Sequence, residues 1–232
     1  MRHKRSHVLY RALSFLLLII LFAAVSPLAA GGWYRLSQDN TIAGFVDAAI
    51  SSPDGSINAL YALGQYNMFY SSDDGGLFWD MYSIPAEGEL VSIASAYDYE
   101  YETQVAVAVG TNGAVWHYRA STDLWEQGEF PDTVNLNVVY YNPIEGNYWI
   151  GGEASSIYFS FDQGVTWERD TVDVQNLNIK LFQVGGSNLF SIGSRNDSTF
   201  VLNKQYYFIG KSTQLTIGDT IPDFIPIASY LM

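Results

Sequence analysis

Short apolar runs of about three to eight residues recur along the chain, alternating in polarity or rich in β-branched side chains. Residues 90–94, 104–109, 134–141, 148–150, 157–161, 177–184 and 199–203 read as strands. Clusters of turn-forming residues separate them: SSPDG at 51–55, TNG at 111–113, NP at 142–143 and GGSN at 185–188. Beyond residue 30 no segment shows a convincing helical period. The pattern predicts an all-β domain.

The first thirty residues follow a different rule. Arg2, Lys4, Arg5 and Arg11 precede an apolar stretch, 13–25, broken only by Ser14, and the small residues of 26–32 follow. This is the layout of a signal peptide, with cleavage expected after Ala30 or Gly31. Thirteen residues are short for a span of about 20. The alternative is an uncleaved anchor over 10–30. A secreted or periplasmic location is expected, or a membrane-anchored one if the segment is retained. The domain then covers 31–232, with 211–232 as an irregular tail, since Pro222, Asp223 and Pro226 interrupt its apolar stretch.

Tryptophan exposes a repeat. Trp33, Trp79, Trp125 and Trp167 lie 46, 46 and 42 residues apart. Between them the order is apolar strand, turn, apolar strand ending near glycine, turn, aromatic strand, tight turn, Trp. The second strands at 59–64, 106–110, 148–152 and 189–193 occupy equivalent places. Four strands in about 44 residues make one blade of a β-propeller. The expected fold is therefore a propeller of four-stranded antiparallel blades, with about four to five blades or an incomplete ring. Blades are expected at 41–83, 88–130 and 134–173, with a fourth from Asn176. Trp33 to Leu36 would supply an outer strand to the last blade. An incomplete ring would leave strand edges open and favour self-association.

The tight turns carry a sharper pattern. Ser72, Asp74, Gly76 and Trp79 fit S-x-D-x-G-x-x-W, and Ser160, Asp162, Gly164, Thr166 and Trp167 fit the fuller S-x-D-x-G-x-T-W, 88 residues on. Ser121 to Trp125 is a shortened copy. These segments resemble the Asp-box of the BNR-repeat propellers, a group that includes sialidases, the sortilin ectodomain and photosystem assembly factors. The glycines suit φ > 0, the aspartates suit backbone N–H groups in the hairpin, and the tryptophans offer an apolar face. The resemblance implies that the box joins the third and fourth strands of a blade, away from the usual ligand face. Its role is then structural. Neither box has the alternating carboxylates of a calcium loop.

Composition narrows the chemistry. The chain has no cysteine, which removes disulfides, thiolate metal sites and a cysteine nucleophile. The first thirty residues hold four of the eleven basic residues and none of the 24 acidic ones, so the remainder carries seven against 24, a net −17. Nucleic acid is not an expected partner. Sialidases hold a carboxylate with three arginines, a trait the resemblance brings to mind. Here only Arg35, Arg119, Arg169 and Arg195 follow the signal, Arg35 and Arg169 sit two residues after a repeat Trp, and no F-R-I-P segment occurs. His117 is the single histidine outside residues 1–30, with no G-x-S-x-G beside it, so neither a histidine metal cluster nor a serine triad is expected. Neither a cofactor nor a metal is expected.

The candidate binding surface combines Asp98, Glu100 and Glu102, an acidic run interleaved with Tyr97, Tyr99 and Tyr101, with the non-repeat Trp116 and Trp149. Such a run suits a cation or a basic partner, or is a solvated loop. Exposed Tyr and Trp suit protein interfaces or sugar stacking. The sequence therefore reads as an exported, non-catalytic propeller that binds or assembles proteins. The alternative is a propeller that binds or cleaves glycans, and a third reading is a photosystem-assembly-like factor. A convergent arginine or carboxylate cluster at the ring centre would favour glycans. An aromatic-rich patch would favour a protein partner.

Overall fold

A computed structural model describes residues 44–51, 59–172, 174–185, 188–196 and 198–205. The signal segment, Trp33 to Leu36, most of the turn at 51–55 and the tail 211–232 lie outside them. The described chain is built of strands. The first sheet holds β1 (Phe45–Ser51), β2 (Ala59–Gly64), β3 (Met68–Ser72) and β4 (Asp80–Ser83). The second holds β5 (Leu90–Asp98), β6 (Thr103–Gly110), β7 (Val115–Arg119) and β8 (Leu124–Gln127). The third holds β9 (Leu136–Asn142), β10 (Asn147–Gly152), β11 (Ile157–Ser160) and β12 (Glu168–Arg169). The last has three strands, β13 (Asn178–Gly185), β14 (Asn188–Arg195) and β15 (Ser198–Gln205). All pairings within the sheets are antiparallel and follow chain order.

These sheets are propeller blades. The innermost strands pack in sequence, β1 on β5, β5 on β9 and β9 on β13. Among the described residues no comparable contact joins β13 to β1, so the four blades form an open arc. Strand alternation explains how each blade meets two neighbours. On β6, Ala106 and Ala108 face the first blade while Val105, Val107 and Val109 face the third. On β10, Tyr148 and Ile150 face the second blade and Trp149 faces the fourth. Both faces of a middle strand are dry, and burying each large apolar side chain contributes about 1.5–3 kcal/mol.

A second repeat sits where each innermost strand begins. The register slips by one residue between Phe45 and Asp47, Leu90 and Ser92, and Ile179 and Leu181, and at Gly151/Gly152 opposite β9. A glycine faces each bulge: Gly64, Gly110, Gly152 and Gly193. The reason is space. A Cβ on Gly110 would lie 2.0 Å from the Glu89 carbonyl oxygen, and one on Gly152 would lie 2.3 Å from that of Asn135.

The two ends of the arc differ. The hairpins joining first to second strands, and the turns joining third to fourth, share one end, called here the turn end. The opposite, linker end carries the second-to-third turns and the connections between blades. There each blade grips the next. The Asn67 side chain accepts from Leu90 N (2.8 Å) and donates to Gly88 O (2.9 Å), Gly113 N donates to Val134 O (2.9 Å), and Ser155 N donates to Leu177 O (2.7 Å). These polar groups are satisfied between blades rather than within one.

The tightness of blade contacts is testable at Gly151. A Cβ there would meet Ile179 Cγ2 at 2.4 Å and Phe182 Cε2 at 2.9 Å. Gly151→Ala is expected to destabilise the domain by about 1–3 kcal/mol, read as a lower urea midpoint.

Candidate functional site

Ser72 and Ser160 end β3 and β11, and their turns share one hydrogen-bond plan. The Ser160 hydroxyl donates to Asp162 Oδ1 (2.8 Å) and accepts from Gly164 N (2.8 Å). Asp162 also accepts from Thr166 N (2.9 Å) and the Thr166 hydroxyl (2.5 Å). In the first blade the Ser72 hydroxyl donates to Asp74 (2.8 Å) and accepts from Gly76 N (2.9 Å), and Asp74 accepts from Leu77 N (2.9 Å) and Phe78 N (3.0 Å). Gly76 and Gly164 have φ of 90° and 88°. Each Trp indole donates to that glycine's carbonyl, Trp79 to Gly76 and Trp167 to Gly164, both at 3.1 Å.

The bonds to Phe78 N, Ser72 and Leu77 N hold the Asp74 carboxyl below its ordinary pKa. Burial works to raise that of Asp162, but bonds from Thr166 and Ser160 outweigh it and the net shift is downward. The third-blade turn also leans back on the second blade. Glu129 N donates to Val165 O (2.7 Å), and a Cβ on Gly164 would lie 2.7 Å from Val107 Cγ2. Trp167 is buried against that blade, and Trp125 packs on Phe69 of the first blade with ring centroids 4.9 Å apart. His117 is buried, and that burial lowers its pKa, which keeps it neutral in the core.

The expected binding surface needs correction. Trp116 is buried between the first and second blades and Trp149 between the third and fourth. Both lie on strands packed on two sides, where position along the strand does not bring exposure. Asp98 is also buried, and its Oδ1 accepts from Glu100 N (2.9 Å) and Tyr101 N (3.3 Å) to close the β5–β6 hairpin. Glu100 and Glu102 are exposed on that hairpin.

Seven large apolar side chains are exposed at the turn end. Leu77, Phe78, Tyr99, Tyr101, Leu124, Ile144 and Phe161 all sit there, each 58–79% exposed. Phe78 and Phe161 occupy free positions of the Ser-Asp-Gly-Trp turns. The signal in the sequence is an aromatic residue where turn chemistry asks only for polar or small ones. Beside Phe161 a hollow of about 210 Å³ opens between the second and third blades. Tyr97, Tyr99, Tyr141 and Phe161 wall it, and Asp98, Tyr148 and Gln163 add polar atoms. The Gln163 amide donates to Asp98 Oδ2.

Other places hold less. The innermost strands contain no arginine, and the Asp47 carboxylate is engaged by the Ser92 hydroxyl (2.8 Å) and Ile93 N (2.9 Å). Arg119 lies over Tyr101, Arg169 over Tyr158 and Arg195 over Phe200, on three different blades. Among the described residues no cluster of three or more metal-ligating side chains occurs, and no helix is long and apolar enough to cross a membrane. A hollow beside Trp149 and Lys204 holds about 30 Å³, room for one water, and another of about 300 Å³ beside Arg169 and Gln175 is largely polar.

No protein-family model matches this sequence, and no curated protein is significantly similar to it. Solved structures match the fold. A structure of YCF48 bound to D1 peptide superposes with a TM-score of 0.51 at 16% identity, over 71% of this chain and 51% of that one. YCF48 from Cyanidioschyzon merolae gives 0.52 at 14% identity, over 76% and 57%. An ancestral GH74 enzyme gives 0.54 at 13% identity, over 75% of this chain and 25% of that one. The chain thus spans about half the length of the YCF48 chains it matches. At these identities the likeness establishes the β-propeller fold alone.

Removing the Ser160 hydroxyl strands Gly164 N–H, so Ser160→Ala is expected to cost about 1–3 kcal/mol in urea unfolding. The Asp162 contribution is present above its unfolded value of 3.8 and is lost as pH falls through the lower folded value. Wild type should therefore lose stability on acidification below about pH 4 more steeply than Asp162→Asn, as followed by acid-titrated urea melts.

Proposed function

We propose that this chain is an exported, non-catalytic β-propeller of the BNR/Asp-box type that binds a protein partner through its turn end. The observation that carries this reading is the set of seven exposed apolar side chains there, Leu77, Phe78, Tyr99, Tyr101, Leu124, Ile144 and Phe161. Large apolar groups exposed at one end of a domain beside polar residues are a feature of interaction sites. The peptide-bound YCF48 structure supports the reading by showing a related fold in a peptide-binding role. The S-x-D-x-G-x-x-W turns, with their shared hydrogen bonds, support the repeat type. The basic and apolar layout of residues 1–30 supports export.

A glycan-directed propeller is the competing function, and the GH74 likeness is what speaks for it. Against it stand the scattered Arg119, Arg169 and Arg195, and an innermost row whose Asp47 is occupied by Ser92 and Ile93. Glycosidases place two carboxyl groups about 5–10 Å apart across the scissile bond; the described innermost strands carry two carboxylates, Asp47 near the start of β1 and Asp98 at the opposite, turn end of β5.

The test is affinity capture with the tagged full chain from envelope and secreted extracts of its host, beside a variant carrying Leu77→Ser, Phe78→Ser, Tyr99→Ser and Phe161→Ser. The expected result is a stoichiometric protein whose recovery drops at least about tenfold with the variant, as loss of clustered hot spots gives. Equal recovery by both proteins, or capture of glycan-bearing material alone, would overturn the reading.

A further inference from the structure

The hollow between the second and third blades has a chemistry of its own. Its one charged lining residue is Asp98, and no lysine or arginine lines it. Tyr148, 1% exposed, lines it with a hydroxyl that has no hydrogen-bond partner. The Gln163 carbonyl oxygen is likewise buried and unpartnered, while its amide nitrogen is committed to Asp98. A buried polar atom left unpaired costs free energy that a ligand donor can recover. What the hollow lacks is positive charge. What it offers is the Gln163 carbonyl oxygen as an acceptor, the Tyr148 hydroxyl as an acceptor or a donor, one carboxylate, and the tyrosine and phenylalanine rings of Tyr97, Tyr99, Tyr141 and Phe161.

Gln163 is the informative residue. It holds φ of 63°, while the matching place in the first-blade turn is Gly75, with φ of 77°. Glycine is the low-cost residue in that conformation. The third blade has a long amide there, which reaches Asp98 of the second blade and lines the hollow. The hairpin that supplies Asp98 and Tyr99 to the lining also carries the exposed Glu100 and Glu102, with Arg119 over its Tyr101.

We propose that this hollow receives a lysine or arginine side chain from the protein partner, its apolar stem between the aromatic rings and its cation against Asp98, Gln163 Oε1 and the Tyr148 hydroxyl. Cations over aromatic faces and beside carboxylates fit such a lining. The inference rests on the protein-binding reading above and names what that surface recognises.

The experiment measures binding of the full chain to surface-displayed glycine/serine peptides carrying one arginine, one lysine, or one citrulline, the neutral counterpart of arginine. Free agmatine is the fourth probe. The arginine or lysine peptide is expected to bind at least about tenfold tighter than the citrulline peptide, as a lost charged hydrogen bond predicts, with the difference shrinking as salt rises. Tyr148→Phe and Gln163→Gly should each lower that affinity about fivefold or more while leaving the urea midpoint at or above that of wild type. The second variant restores the residue that the first blade uses. Equal binding of the arginine and citrulline peptides, or unchanged affinity in both variants, would overturn the proposal. Agmatine binding as tight as the peptide would overturn the protein source of the cation. Loss of partner capture in the four-serine variant would still stand in any of these cases, so failure here is separable from failure of the protein-binding reading.

Discussion

Blades with a neighbour on each side have no solvent face, and most of the architecture follows from that. The centre of a middle strand such as β6 (105–109) or β10 (148–150) must be apolar at successive positions, yet its odd and even residues serve different partners. The chain solves this with size: alanines of β6 toward the first blade, valines toward the third. Where a bulge of the innermost strand comes too close for any side chain, as at Gly110 and Gly152, or the next blade does, as at Gly151, it uses glycine. The cost of a dry sheet is that its ends must satisfy their own polar groups. The side chains of Asn67 and Ser155 do so at the linker end, and Ser72, Asp74, Ser160 and Asp162 do so at the turn end.

The Trp period and the strand pattern made the blades legible from sequence. The expected first three blades at 41–83, 88–130 and 134–173 bracket the observed sheets at 45–83, 90–127 and 136–169. A strand's period of two is visible in any sequence, and a repeat multiplies it. The site was less legible, for the same reason. Trp116 and Trp149 look like candidates for exposure because they break the repeat, but a strand buried on both faces hides whatever it carries. Phe78 and Phe161 are masked in the sequence because they sit inside a motif whose fixed residues explain the turn. Asp98 was found in the sequence, but its backbone bonds and its contact with Gln163, 65 residues away, depend on how two blades meet.

The turn end therefore has two layers. Inner atoms of the turns hold the hairpins shut, and several residues between them, Phe78 and Phe161 among them, are exposed. That division lets a surface vary without disturbing the blade beneath it, and it matches a scaffold whose functions differ among relatives of one shape. Phe161 and Gln163 stand at unspecified positions of the S-x-D-x-G-x-x-W pattern, whereas Asp162 and Gly164 are fixed by the turn's hydrogen bonds and backbone.

Packing by the repeat tryptophans also has a direction. Trp125 inserts into the first blade and Trp167 into the second, so each blade anchors itself on the one before. The linker-end bonds run the other way, from Asn67 and Ser155 forward to the next blade. An array joined in this manner behaves as a one-dimensional chain of coupled units, in which nearest-neighbour terms outweigh the stability of any single unit. Its melting is then a matter of position. Among the described blades the second and third are held from both sides, so their amide protons are expected to exchange last.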